Sequence, residues 1–394
     1  MKILLLSAYD ANSHRYWWQQ LENYFSEHDW IVLTLPARYF SWRIRGNSLT
    51  WAMGEQAKQL HADYQLIIAT SMVDLSALRG MCPALAQIPT LLYFHENQFA
   101  YPLSAQIKNA QRAVEPMMVQ LYAALSADRL CFNSEYNRQS FIGGVKALLK
   151  KLPDHVPGDI VQRLTDKSQI LPVPIIVPVA SAPVASLESA MLPGGVQADS
   201  KPPISERCHI LWNHRWEYDK GPERLLAFIE GLAPSLSLSF HVVGQSFRTQ
   251  PKVFEQIRQL LETRAWLGLW SYIESRDSYQ QLLEQCHVVL STALHDFQGL
   301  SILEGVFAGC LPLVPDRLAY SEIFPNDFRY EGAEDVKSEA QSAARRLSAF
   351  IASDYDRTEL DQVITAFDWQ ALGGAYRNSF LATQQAHKLS KINQ

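Results

Sequence analysis

Two series of short apolar runs alternate with helix-patterned segments, and a proline-rich stretch separates them; few folds accommodate that arrangement. In the first series the strand-like runs are 2–7, 31–35, 65–69, 89–94 and 129–133, with helical patterns at 16–25, 117–126 and 136–149. Runs of four to six apolar residues separated by amphipathic helices imply parallel strands joined by crossover helices. Residues 150–169 read as a less regular, charged insertion. Between Pro172 and Pro203 stand seven prolines with little periodicity, a composition that can neither continue a helix nor pair as a central strand. That stretch reads as a linker. From Arg207 the alternation restarts: strands at 210–213, 238–243, 267–272, 288–291 and 310–314, helices at 223–231, 251–263, 279–285 and 302–308. The expectation is an α/β chain of two Rossmann-like domains with parallel sheets facing an interdomain cleft. Its parts are a first domain 1–171, a linker 172–206, a second domain 207–366, and a closing helix 367–394 able to cross back to the first domain.

The length of 394 residues suits two such domains better than one core. No apolar run approaches the roughly 20 residues that span a bilayer, so no stable membrane insertion is expected. The opening Met1–Leu6 has a signal-like charge, but its apolar run is short and reads better as a buried first strand. Five cysteines stand singly without any CxxC pair, which argues against a zinc site or a disulfide framework and fits a cytoplasmic protein. The net charge of −5 argues against indiscriminate nucleic-acid binding. It is uneven, however. Residues 1–170 hold 16 basic and 14 acidic residues, the remainder 19 and 26, so an anionic acceptor meets the first half more easily.

In an open parallel sheet, ligands collect beyond the carboxyl ends of the strands. Arg215 and Lys220 stand there, followed by Gly221-Pro222 and a helix, which suits a diphosphate: Arg offers a planar fork, Lys a mobile point charge. Both side chains are expected to face solvent. Asp296 and Glu304 flank Gly299 and lead into an apolar helical run. A carboxylate among apolar neighbours, as Glu304 is, needs a partner, and the paired hydroxyls of a ribose suit it. Gly299 lets the backbone approach a ligand, and the N–H groups of Leu300 and Ser301 suit an anion. Ile273, just after another strand, completes the donor-binding set. In the first half, His95, Glu96, Asn97 and Gln98 follow an apolar strand, and Asp10, Asn12, Ser13 and His14 occupy the turn after the first strand. That turn lacks the glycines of a phosphate loop, so its polar groups suit an acceptor or a sugar. Asp354-Tyr355-Asp356 has the form of a DxD metal motif but lies in a polar segment away from the strand ends and reads as solvated surface. No HExxH, GxSxG or Walker A sequence occurs.

Arg215-x4-Lys220-Gly221, Asp296-x7-Glu304, Phe132-Asn133-Ser134-Glu135-Tyr136 and Phe367-Asp368-Trp369 together resemble the retaining GT-B glycosyltransferases of family 4. Within them, segments 7–18 and 94–98 look closest to the tRNA-queuosine mannosyltransferase branch. The resemblance implies a nucleotide-sugar donor, GDP-mannose, and the anticodon arm of tRNA for aspartate as acceptor. It assigns the diphosphate to Arg215 and Lys220, the ribose to Glu304, the sugar hydroxyls to Asp296 with the Gly299–Ser301 backbone, and the reacting face to His95. It also implies front-face attack, in which the departing phosphate oxygen takes the acceptor proton. No protein nucleophile, metal or other cofactor is then needed. Asp296 stands where Glu is common in the family, and the first loop lacks the usual glycine pair.

Arg38, Arg43 and Arg45 interleave with Tyr39, Phe40 and Trp42. With Glu96 and Asn97, Arg43 and Arg45 are the candidate acceptor contacts of the first domain. The cluster suits exposed bases of a single-stranded loop as readily as a membrane surface. Two alternatives therefore stand beside the tRNA enzyme: a family 4 enzyme acting on a lipid or polysaccharide, and an inactive sugar-nucleotide-binding protein. The sequence does not fix the oligomeric state.

Overall fold

The computed structural model describes residues 1–101, 110–176, 203–246, 251–352 and 355–392. The chain divides into two compact units, Met1–Pro174 with Trp369–Gln394, and Ile175–Asp368.

The first unit runs β1 (Lys2–Asp10), α1 (Asn12–Tyr24), β2 (Asp29–Pro36), α2 (Phe40–Met53), β3 (Leu66–Thr70), α3 (Leu75–Met81), β4 (Thr90–Phe94), α4 (Ala110–Ser126), β5 (Arg129–Phe132), α5 (Glu135–Leu149), α6 (Ile160–Asp166) and β6 (Ser168–Ile170). Its six strands pair in parallel in the order β2-β1-β3-β4-β5-β6. The inner strands are buried on both faces, which is why Ile3–Leu6 and Leu66–Ala69 read as unbroken apolar runs. The stretch expected to be an irregular insertion carries α6 and the edge strand β6 instead. A three-residue strand is too short to show periodicity, and its pairing with β5 creates it.

The second unit runs β7 (Cys208–Trp212), α7 (Pro222–Gly231), β8 (Leu238–Val243), α8 (Val253–Thr263), β9 (Leu267–Ser271), α9 (Arg276–Gln285), β10 (Val288–Leu290), α10 (Leu300–Phe307), β11 (Leu311–Pro315), α11 (Tyr320–Ile323), β12 (Arg329–Tyr330), α12 (Val336–Ala352) and α13 (Thr358–Ala366). Its parallel order is β12-β11-β10-β7-β8-β9. In both sheets the strand order reverses beside the first strand of the unit, and such a switch point opens a crevice at the carboxyl ends. Each sheet carries its own apolar core.

The last helix, α14 (Trp369–Ile392), belongs to the first unit. Trp369 stacks on Tyr24 at 4.4 Å between centroids, the Trp17 indole donates to the Tyr376 hydroxyl (3.0 Å), and Arg377 pairs with Glu27 (2.8 Å). Most of the proline-rich stretch lies outside the described residues.

Candidate active site

In the second unit the polar groups gather where β7 and β10 end. Beyond Trp212 the chain passes through Asn213, His214 and Arg215 into a single turn, Tyr218–Lys220, and then α7. Gly221 has φ +65°, and a Cβ there would collide with the Thr292 carbonyl. Glycine is therefore required, and Pro222 suits the first helical position. This turn carries Lys220 inward. Its ammonium donates to the His295 carbonyl (2.8 Å) and lies 3.5 Å from both Asp296 and Asp219. Lys220 is thus buried, against the expectation of a solvent-facing cation, because three acceptors from the chain itself hold it. Arg215 is half-exposed, 2.6 Å from Glu217 and 3.8 Å from Asp219.

The Asp296 carboxylate accepts from the Gly299 N–H (2.9 Å) and the Tyr320 hydroxyl (3.1 Å). Burial alone would raise its pKa. The Lys220 ammonium, with lesser help from His214 and the Gly299 N–H, overrides burial and holds it at about 2. His214 is pushed down to about 3 by burial and by Lys220, so it is neutral near pH 7, and its Nε2 has no hydrogen-bond partner among the described residues. Gly299, at φ +73°, opens α10, and a Cβ on it would strike the Tyr320 ring. The first N–H groups of α10 have no partner within the helix, and an anion can use them.

Glu304 sits one turn into α10. Its Oε1 accepts from Arg276 (2.8 Å) and its Oε2 from the Tyr279 hydroxyl (3.2 Å). That hydroxyl accepts from Asn213, which also donates to the Ser301 carbonyl (2.9 Å). The partner that a carboxylate in this run demands is therefore supplied by α9. Ile273, two residues past β9, is half-buried against the core. The motif spacing singles out Arg215, Lys220, Asp296, Gly299 and Glu304, of which the structure pairs Lys220 with Asp296 and Asp296 with Gly299, but it does not single out Arg276, Tyr279, Tyr320 or Asp219. The three-residue step from Arg276 to Tyr279, which puts both on one helix face, was the available signal.

The first unit holds a second cluster at the ends of β1 and β4. Asp10 is buried and accepts from Trp18 (2.9 Å), Arg15 (3.0 Å) and Ser7 (3.3 Å). His14 is buried between the Tyr9 carbonyl (2.6 Å to Nδ1) and the Glu96 carboxylate (3.5 Å to Nε2). Burial would lower its pKa, but Glu96 raises it above the usual histidine value. His95 packs against His14, Trp17 and Tyr93 with centroids 4.3–4.8 Å apart. Burial first, then His14, push its pKa well down, and its Nε2 has no partner among the described residues. Asn133 donates to the His95 carbonyl (2.9 Å) and Ser71 to that of Glu96 (2.9 Å), so the loop is fixed from beneath. Asn12 and Ser13 are exposed at the start of α1.

Two acceptor candidates are buried away from a contact surface, and a third is half-exposed but ion-paired. Asn97 is fully buried, donating to Asn137 and Ser140 and accepting from Phe99 and Ala100. Arg43 is buried on α2. Arg45 is paired with Asp74 (2.7 Å) and Glu115 (3.4 Å). Among the described residues no group of three or more His, Cys, Asp or Glu is arranged to hold a metal, and Asp354 lies outside them.

Known proteins resemble this chain in sequence and in fold. Residues 2–175 match the family described as tRNA-queuosine alpha-mannosyltransferase N-terminal. The chain is 29% identical over 369 residues to the tRNA-queuosine alpha-mannosyltransferase of Drosophila melanogaster, covering 93% of this chain and 92% of that one. Among solved structures it is similar to a UDP-forming trehalose-phosphate synthase from Burkholderia xenovorans (TM-score 0.62, 15% identity, 98% of each chain). It is also similar to Anabaena HepE in complex with UDP (TM-score 0.60, 14% identity, 99% and 100% covered). The fold is of the GT-B class, and the similarity to the Drosophila enzyme extends over nearly the whole chain.

Proposed function

We propose that this chain is a retaining glycosyltransferase of the cytoplasm that moves mannose from GDP-mannose to queuosine in tRNA for aspartate. The observation that carries the reading is kinship along 93% of the chain to an enzyme named for this reaction, combined with a cation-bearing strand-end site in the second unit.

In that site Arg215 and Lys220 bind the diphosphate and offset the charge that grows on it as the sugar departs. A single such group is typically worth roughly 10²–10³ in rate. Asp296 remains ionised at any physiological pH and accepts from sugar hydroxyls, while the Leu300 and Ser301 N–H groups support the same region. Glu304 takes the ribose hydroxyls, and for that Arg276 yields one carboxylate oxygen on donor binding. Neutral His214 offers a ring nitrogen to a hydroxyl without adding charge, and neutral His95, in the first unit, offers one there. The leaving diphosphate oxygen accepts the acceptor proton on the face from which it departs, so the protein supplies no nucleophile. Two fixed cations do the electrostatic work a divalent ion does elsewhere.

Mass spectrometry of tRNA nucleosides from cells with and without the gene tests this reading. Loss of a hexosylated queuosine, with unmodified queuosine accumulating in its place, is expected. An unchanged nucleoside profile contradicts it and turns the search to a lipid or glycan acceptor.

A further inference from the structure

The start of α2 carries an arrangement that neither the fold nor the strand-end site requires. Tyr39 caps the helix in the left-handed region (φ 55°, ψ 54°), an uncommon and strained conformation for a residue with a Cβ. The conformation puts a ring that is 72% exposed at the helix mouth instead of burying it. Arg38 holds its guanidinium over that ring, 5.6 Å from the centroid. One turn on, Trp42 is 53% exposed, and its indole lies so close over Gly46 that any Cβ at position 46 would overlap the ring. Gly46 is therefore a shelf. It fixes the indole against the helix on one side and leaves part of it open to solvent. Phe40, between them, packs edge-on to Tyr9 at 6.1 Å, so the helix start adjoins the end of β1, which carries Asp10.

We infer that Tyr39 and Trp42 are a stacking platform for unpaired bases of the acceptor RNA loop, with Arg38 its phosphate contact. This rests on the tRNA reading of the acceptor and assigns specificity within it. Fixed aromatic faces suit bases, which present a π-face whatever their identity. A membrane is less well served. Leu49 and Met53 continue an exposed apolar stripe along α2, but of the three arginines beside it Arg43 is buried and Arg45, though half-exposed, is paired with Asp74 and Glu115, which leaves Arg38 to meet an anionic surface. Arg43, which the sequence favours as an RNA contact, thus gives way to the aromatics interleaved with it.

The test is fluorescence anisotropy with a labelled anticodon stem-loop RNA, on the full chain and on Trp42→Ala, Trp42→Phe, Tyr39→Ala and Arg38→Gln, each checked for an unchanged unfolding midpoint. Either alanine variant is expected to weaken binding roughly five- to hundredfold, the range that stacking one base supports. Trp42→Phe keeps much of the affinity. The salt dependence separates the roles: Trp42→Ala leaves the slope of log K against log salt unchanged, whereas Arg38→Gln lowers it by about 0.7. If the wild-type chain binds the RNA and both alanine variants bind equally well, the platform is wrong while the acceptor reading stands. If the wild-type chain binds no RNA, both fall. Loss of binding to anionic phospholipid vesicles in Trp42→Ala, with RNA binding intact, identifies the patch as a membrane contact and overturns the proposal.

Discussion

Lys220 and Asp296 carry the largest consequences of any single residues in the donor site, and their burial separates them from Arg215. Removing Lys220 deletes the cation proposed to bind the diphosphate and also leaves Asp219 and Asp296 buried beside no ammonium. Lys220→Ala should therefore lose roughly 10²–10³ in turnover and also unfold at lower temperature, since breaking a buried pair costs about 3–5 kcal/mol. Arg215→Ala should lose comparable turnover with little change in unfolding temperature, because that side chain is half in solvent. Calorimetry beside steady-state kinetics checks both. The five-residue step between the two cations could be read from the sequence. That one is buried could not, because its acceptors His295 and Asp296 arrive from a loop some 75 residues away. Asp296 adds a pH signature. Its folded pKa of about 2 lies below the unfolded value of about 3.9, so its contribution is complete above the unfolded value and fades as pH falls through about 2. The stability gap between the wild type and Asp296→Asn should be widest above pH 5 and narrow toward pH 2. A gap independent of pH would remove the charge from the explanation.

At the scale of elements, α10 is the most exacting. Its start depends on a left-handed Gly299 whose missing Cβ makes room for Tyr320, and Tyr320 in turn donates to Asp296. Gly299→Ala should push that ring aside, raise the donor KM, and lower stability by about 1–3 kcal/mol. Binding of GDP by titration calorimetry, with unfolding of the same variant, checks it. An unchanged KM would mean that the helix start does not position the donor. Elements with clear periodicity, such as β3, β8 and α8, were legible to within a residue or two. The two-residue β12 and three-residue β6 were not, because such edges exist only through a neighbour. The α2 segment hid its orientation for another reason: alternating Arg and aromatic residues do not reveal which set the helix buries, and here Arg43 goes inside while Trp42 stays out.

For the whole molecule, two parallel sheets each carry their own core, and the proposal sets donor chemistry in the second unit and acceptor recognition in the first. The α/β alternation was enough to reach the fold class. Donor base, sugar and acceptor could not be read from charge and spacing, since Lys, Asp and Glu at strand ends serve many nucleotide sugars alike. The measurement that tests the central claim most directly is sugar transfer by the purified chain to two tRNA preparations, one containing queuosine and one lacking it, with labelled GDP-mannose and EDTA present throughout. Label is expected to enter the queuosine-containing tRNA and not the other, at a rate the chelator does not change. Equal labelling of both, labelling of neither, or labelling that requires restored Mg²⁺ or Mn²⁺ would contradict the account.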